Sequence, residues 1–469
     1  MMKTLLKKVC AVFLAVIFLQ TTGFRSAAAF TVGEEREMGE KLLFQVRLAF
    51  DVLDDPDIHQ YINNLGRGVL EVAGIQYFDY KFFVINNREF NAFAAPSGLI
   101  FFHSGLIETM NSENELISVM AHEIGHVAAR HLASRMEKGS KVSMATAALA
   151  LASLALGGGT ATQALLTSSL AAGQAINLHF SRKDEEEADL LAYGWMKDLK
   201  RSPQAQEEML YTMRRITRYR MGQVPQYLLT HPNPEARLDY VQGLLAVDSL
   251  EQQNFVQVDD FDFFRMKYRV LAELKDGTQL RNLLTAKLND EQSSQFDQMM
   301  ARYGLSQLDR KENNYENSRR LLKEVLSFFP ERSTLLVDLG VIEAALGARE
   351  QAMARFEEAY RLNHSDMWAA FQMAKLQLAM GQADRAELLL KEVIAELPEY
   401  PQAYYEVGRI RSQQGDKGAA AFYLGKYYLY EGKVKLALQN FKQASKLSKD
   451  EKVRQDSKKM MKTIQRFKS

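Results

Sequence analysis

The sequence predicts an α+β chain that is mostly α. A compact, largely helical domain with a small sheet is followed by an all-α solenoid. Three observations carry this. Glycines recur with a 34-residue period in the C-terminal third, two short strand-like apolar runs interrupt helical text between residues 80 and 102, and helical periodicity dominates the rest.

The repeat region can be counted. Gly347, Gly381 and Gly415 are each 34 residues apart, and Ala352, Ala386 and Ala420 follow at one offset. Pro330 and Pro398 stand two periods apart. This is the period of tetratricopeptide helix pairs. Glycine permits the tight turn between the two helices, the small alanine lets them approach, and proline ends the second. Met367-Trp368-Ala369-Ala370-Phe371 and Tyr404-Tyr405 supply interlocking apolar faces. Gly432 and Ala437 give a half-repeat echo, and Asn313 and Ser318 hold the matching places one period earlier as a degenerate first repeat. A solenoid of this kind presents a concave surface to a partner; the plainer reading is a structural helical cap.

At 469 residues the chain exceeds one ordinary core. Its 59 basic and 58 acidic side chains nearly cancel, so no global field attracts nucleic acid. Four parts follow: an export signal over 1–29, the compact domain over 30–245, a helical connector over 246–308 and the repeats over 309–469. Lys3, Lys7 and Lys8 precede an apolar run from Val9 to Leu19, and Ala27-Ala28-Ala29 offers a small-residue cleavage site near Ala29. An uncleaved anchor is the alternative. The only cysteine, Cys10, falls inside the signal, so the mature chain has no thiol and no disulfide, which fits an exported protein.

Within the compact domain, Glu34–Leu43 and Asp57–Val72 read as helices. Tyr80–Ile85 and Leu99–Phe102 read as strands. Ser112-Glu113-Asn114-Glu115 has the pattern of a capping box, so a helix starts there and runs into His122-Glu123-Ile124-Gly125-His126. Positions i and i+4 share a helix face, so His122 and His126 aim their imidazoles at one Zn²⁺. Glu123 beside them is placed to take a proton from a water at that ion.

A third protein ligand is needed. His131 lies nine residues from His122, about 180° round a continuous helix, and is set aside as a structural or surface histidine. Asp184-Glu185-Glu186-Glu187-Ala188-Asp189 opens a later helix. Ala188, Ala192, Trp195 and Met196 form its inward stripe, with Glu185 and Asp189 in phase. That selects Glu185 as the ligand and Asp189 as acceptor of a ligand histidine's N–H. Asp184, Glu186 and Glu187 are left as a solvated acidic helix start.

These residues resemble the gluzincin peptidases related to the CAAX prenyl proteases, in particular their periplasmic, repeat-bearing members. The family pattern, His-Glu-x-x-His with Glu-x-x-x-Asp, stands here as His122, Glu123, His126, Glu185 and Asp189. Its Asn-Ala-Phe-Ala-x-Pro-Gly-Gly segment stands as Asn91 to Gly98, with Ser97 in place of one glycine. Thr230-His231-Pro232 and Arg237 match a further segment. The resemblance implies a zincin-type domain with one zinc per chain. It implies that His231 lies near the metal, as oxyanion stabiliser or as an extra inhibitory ligand, with Arg237 close by; the sequence alone makes His231 a turn residue before Pro232. It also makes the strand after Pro96 (Gly98, Leu99, Ile100) the active-site edge to which an extended substrate adds.

The expected activity is zinc-dependent endoproteolysis of unfolded, misassembled or stalled envelope proteins. The repeats select substrate or dock on the outer-membrane protein assembly machinery. The rival is a chaperone or scaffold that works through the repeats with a latent site. The apolar stretch 142–176 reads as a buried hairpin, a lid or a peripheral membrane contact.

Overall fold

The computed structural model describes residues 31–138, 180–219, 226–248, 255–274 and 277–468. The signal expected over 1–29 and the apolar stretch 142–176 lie outside the described residues. In the compact domain, helices α1 (Val32–Ala49) and α2 (Pro56–Ala73) precede strands β1 (Lys81–Ile85), β2 (Ala92–Ala95) and β3 (Leu99–His103). Helices α3 (Ser104–Thr109), α4 (Glu113–Ala128) and α5 (His131–Lys138) follow, then α6 (Arg182–Asp198), α7 (Gln204–Tyr219), α8 (Gln226–Thr230) and α9 (Pro234–Asp248).

Local chemistry sets the helix starts. Thr31 and Glu34 form a complete capping box on α1, and Asp55 accepts from Asp57 N and Ile58 N to start α2. On α4 the expected box is only half made. Ser112 Oγ accepts from Glu115 N at 3.2 Å, while the Glu115 carboxylate accepts from Asn111 N at 2.8 Å.

The sheet order is β1-β3-β2, with β1 parallel and β2 antiparallel to β3. This corrects the expected active-site edge. Leu99 and Ile100 lie on the central strand, where Leu99 pairs with Lys81 and Ala95 and Ile100 with Phe82 and Ala94. Their backbone groups are committed to neighbours, and Pro96 and Gly98 form the turn that leads in. The outer strands are β1 and β2. Asn63 blocks part of β1: its side chain accepts from Phe82 N and donates to Phe82 O. Among the described residues, β2 pairs only with β3, so Ala92–Ala95 is the open edge.

Helix α10 (Phe261–Ala272) falls within the expected connector, yet it is core rather than linker. Phe263, Met266 and Val270 pack into the compact domain, while Phe261, Tyr268 and Leu271 pack against the repeats. Helices α11 (Thr278–Asn289) and α12 (Gln295–Lys311) follow. The latter crosses the expected boundary at 308 and pairs with α13 (Tyr315–Phe328) as the first repeat.

The later helices are α14 (Ser333–Ala345), α15 (Arg349–Leu362), α16 (Met367–Ala379), α17 (Ala383–Glu396), α18 (Pro401–Gln413), α19 (Lys417–Tyr430), α20 (Val434–Leu447) and α21 (Glu451–Lys468). Gly347, Gly381, Gly415 and Gly432 hold φ between 70° and 83° at the tight turns, and Asn313 takes φ 62° at the degenerate one. The array returns to the compact domain at its far end, where Phe467 of α21 packs on Phe44 of α1 at 5.6 Å between ring centroids. No helix of the described residues is long and apolar enough to cross a membrane.

Candidate metal centre

Helix α4 is held by its apolar side chains. Leu116, Met120 and Ile124 are fully buried, a burial worth roughly 1.5–3 kcal/mol each. That anchorage presents His122 and His126 one turn apart, with their Nε2 atoms 3.0 Å from each other. Glu185 enters from α6, with Oε2 3.5 Å from His122 Nε2 and Oε1 3.6 Å from His126 Nε2.

Gly125 makes this approach feasible. A Cβ there would stand 3.2 Å from Ala188 Cα and 3.3 Å from Ala188 O, so α4 and α6 touch backbone to backbone. His231 arrives from the turn after α8. Its backbone N–H donates to Tyr227 O at 2.8 Å, and its ring stacks on Tyr227 at 4.3 Å. One donor atom from each of His122, His126, Glu185 and His231 lies within 4.8 Å of the other three, and all four residues are buried.

A second layer of charge supports these groups. Asp189 Oδ1 accepts from His122 Nδ1 at 2.9 Å, and the Asp189 carboxylate takes two hydrogen bonds from Arg237, at 2.7 and 2.8 Å. Arg237 Nη1 also lies 3.0 Å from Glu185 Oε2, an ion contact without hydrogen-bond alignment. Burial alone would raise both carboxyls. For Glu185, the charges of His231 and Arg237 overcome it and hold the group well below the carboxylate range. For Asp189, Arg237 and His122 bring it down to about 2. Burial and Arg237 press the His122 imidazole down, but Asp189 and Glu185 outweigh them and lift it to about 9. Burial and the neighbouring His122 charge keep His126 well below the ordinary histidine range. The same pocket thus pushes its two adjacent rings in opposite directions.

The residues fit a divalent cation. Two imidazoles and a carboxylate are a zinc ligand set. Glu185 Oε2, His231 Nε2 and both Glu123 oxygens are buried without hydrogen-bond partners. Each such atom costs about 1–3 kcal/mol if left so; a cation at the convergence point offsets that cost for Glu185 Oε2, while the Glu123 oxygens lie beside the point rather than on it. Glu123, fully buried, has Oε1 3.6 Å from His231 Nε2.

Sequence reasoning missed three neighbours. Phe180 stacks on the His126 ring at 3.9 Å, and Tyr227 backs His231. His131 is the third: it stays outside the ligand group, but it is buried and turned to a ligand rather than away from the site. The helix breaks after Ala128, so the 180° argument does not apply, and His131 Nδ1 sits 2.9 Å from His126 Nδ1. Of the acidic helix start, Glu186 pairs with the exposed Arg182, whereas Asp184 is half-buried: it completes the capping box with Ser181 and pairs with Arg135.

Comparison with known proteins falls on the same residues. The model of Peptidase family M48 matches residues 54–245. The beta-barrel assembly-enhancing protease of Escherichia coli K12 is 31% identical over 376 residues, covering 79% of this chain and 75% of that protein. The protein of the same name from Yersinia pestis is 27% identical over 401 residues, covering 85% and 81%. Metalloprotease LoiP of Escherichia coli K12 is 28% identical over 178 residues, covering 38% and 66%. A solved tetratricopeptide repeat protein from Parabacteroides merdae aligns with a TM-score of 0.30 at 15% identity, over 55% of this chain and 98% of that one. Similarity of this extent, falling on the stretch that builds the metal centre, makes the chain a member of peptidase family M48 and a metalloendopeptidase.

Proposed function

We propose that the chain is a zinc-dependent endopeptidase of the cell envelope that degrades misfolded or stalled outer-membrane proteins, its repeats engaging substrate or the assembly machinery. The observation that carries the chemistry is the convergence of His122, His126 and Glu185 on one buried point with Glu123 beside it. The name of the relatives, beta-barrel assembly-enhancing protease, supports the outer-membrane setting, as does the export signal read over 1–29.

His122, His126 and Glu185 would hold the zinc, one ion per chain. Bound there, zinc polarises the scissile carbonyl and acidifies the attacking water. Glu123 takes the water's proton and returns it to the leaving amine, a task suited to a buried carboxylate with no other hydrogen-bond partner. Asp189 accepts the His122 Nδ1–H, which turns Nε2 to the site, and Arg237 beside Glu185 keeps that carboxylate ionised. An extended substrate adds to the open edge of β2. Beside that edge a narrow cleft is lined by Ala94, Ala95, Pro96, His126 and Phe180.

His231 is the regulatory element of this reading. With it in the group, four protein donors face the metal, whereas a catalytic zinc keeps one position open. His231 therefore inhibits where it stands and withdraws when substrate enters, after which it is free to support the oxyanion. The same closure favours the second reading, a repeat-driven chaperone or scaffold with a latent site.

The test is degradation of an unfolded polypeptide such as casein by the full chain, with zinc measured alongside. One zinc per chain, activity lost to a chelator and restored by Zn²⁺, is the expected result. Degradation indifferent to chelation removes the reading.

A further inference from the structure

Helix α4 does not continue into His131. Arg130 takes a left-handed φ of 52°, and the chain restarts as α5. On an unbroken helix, residues five apart point about 140° away from each other. Here the break brings the Nδ1 atoms of His126 and His131 to 2.9 Å. His131 is 4% exposed. Its Nε2 lies 3.3 Å from Oε2 of Glu187, a carboxylate at the surface of α6.

Counting protons along this row leaves one solution. His126 directs Nε2 at the metal point, where it must be bare to act as a ligand. A neutral imidazole then carries its proton on Nδ1 and needs an acceptor there. The atom within reach is His131 Nδ1, which accepts only when it too is bare. His131 must therefore carry its proton on Nε2, the nitrogen that faces the Glu187 carboxylate. Each ring then holds one proton, and each proton has one acceptor.

We propose that His131, backed by Glu187, is a positioning residue for His126: it accepts the His126 Nδ1–H and so fixes the tautomer and ring angle that turn Nε2 to the metal. This rests on the zinc reading above. It gives the two ligand histidines unlike supports. His122 leans on a buried ionised aspartate, and His126 leans on a neutral ring whose own acceptor stands at the surface. Groups behind metal-ligating histidines typically change metal affinity by about 10–100-fold.

The experiment measures Zn²⁺ affinity of the full chain by competition with a chromophoric chelator. The visible spectrum of the Co²⁺-loaded protein reports ligand geometry. His131→Phe keeps an aromatic ring, somewhat larger, and removes the acceptor. Its Zn²⁺ Kd is expected to rise about 10–100-fold with a changed Co²⁺ spectrum, while metal-free thermal unfolding stays as in wild type. His131→Asn places Oδ1 where Nδ1 was and is expected to recover part of the loss. Glu187→Lys sets a donor where the acceptor stood, favours the wrong His131 tautomer, and is expected to weaken Zn²⁺ binding without touching the core.

Wild-type affinity and spectrum in both His131→Phe and Glu187→Lys overturn the proposal. If the Phe variant does not fold, the Lys variant decides on the same criterion. His126→Ala guards the underlying reading: if it binds Zn²⁺ as tightly as wild type, the metal centre itself is misassigned, whatever His131 does.

Discussion

Arg269 is a side chain whose loss should cost this protein heavily, far from the metal centre. It lies on α10, is 2% exposed along its side chain, and meets three carboxylates: Asp55 at 2.6 Å, Asp338 at 2.7 Å and Asp57 at 2.8 Å. Asp55 and Asp57 start α2 of the peptidase domain, whereas Asp338 belongs to α14 of the repeats. The guanidinium also covers the Trp368 ring at 5.0 Å. Replace it by methionine and the three carboxylates fare differently. Asp55 and Asp57 have side chains 22% and 14% exposed and can hydrate. Asp338, 1% exposed, keeps only Arg265 at 3.2 Å and the Tyr303 hydroxyl at 3.0 Å. Stranding one partner of a buried ion pair costs about 3–5 kcal/mol. The surviving Arg265 contact argues for the lower end, so Arg269→Met should destabilise by about 3 kcal/mol, roughly a hundredfold in the folded-to-unfolded ratio. Arg269→Lys recovers only part of this, because one ammonium cannot span three acceptors. The chain's two tryptophans, Trp195 in the peptidase domain and Trp368 in the repeats, report the domains separately. Urea unfolding of Trp195→Phe and Trp368→Phe backgrounds should show both transitions moving down with Arg269→Met. A shift worth less than about 1 kcal/mol at both probes would refute the claim that this buried network joins the two domains.

Four shorter predictions follow. Ser97 sits at φ 71° where the family pattern has glycine. Ser97→Gly should stabilise by roughly 0.5–1 kcal/mol after the unfolded-state entropy is counted, and a lower urea midpoint would contradict this. Burial holds the His103 imidazole down at about 3, with the Glu89 backbone partly opposing. The unfolded chain takes its proton near pH 6.5 and the native chain only near 3, so His103 costs nothing above pH 6.5. It erodes stability as pH falls, by roughly 3 kcal/mol at pH 4. His103→Leu should therefore flatten the denaturation midpoint between pH 7 and 4, and an unchanged slope would count against it. Gly125→Val should part α4 from α6, draw Glu185 back and weaken Zn²⁺ binding at least tenfold by a chelator-competition assay; unchanged affinity would deny the close approach its role. His231→Ala should raise the rate of casein degradation if the histidine closes the site, and a fall in kcat at constant zinc content would make it a helper instead.

Much of the centre was legible because the metal imposes spacing on sequence. His122 and His126 must be one helical turn apart, and the in-phase stripe of α6 singled out Glu185 and Asp189 from six consecutive residues. The turns of the repeats were legible for a similar reason, since a left-handed residue is needed every 34 positions. Three things were not. Strand order is a long-range property, so nothing local told Leu99–His103 that it would lie between two partners. The break at Arg130 is a single non-glycine residue in a left-handed conformation, with no glycine or proline to announce it, and it hid His131. Helix α10 divides its apolar residues between two faces because it meets two cores, with Asp262, Arg265 and Arg269 together on the side between them, a pattern that shows no single apolar stripe until both cores are present.

The central claim is that Glu123 performs proton transfer at a metal held by His122, His126 and Glu185. The most direct measurement is the degradation rate of zinc-loaded Glu123→Gln against wild type at equal zinc content. Loss of general-base catalysis predicts a fall of about 10²–10⁴-fold with one zinc still bound per chain. Cleavage within tenfold of wild type would contradict the account, since the carboxylate would then have no part in the chemistry.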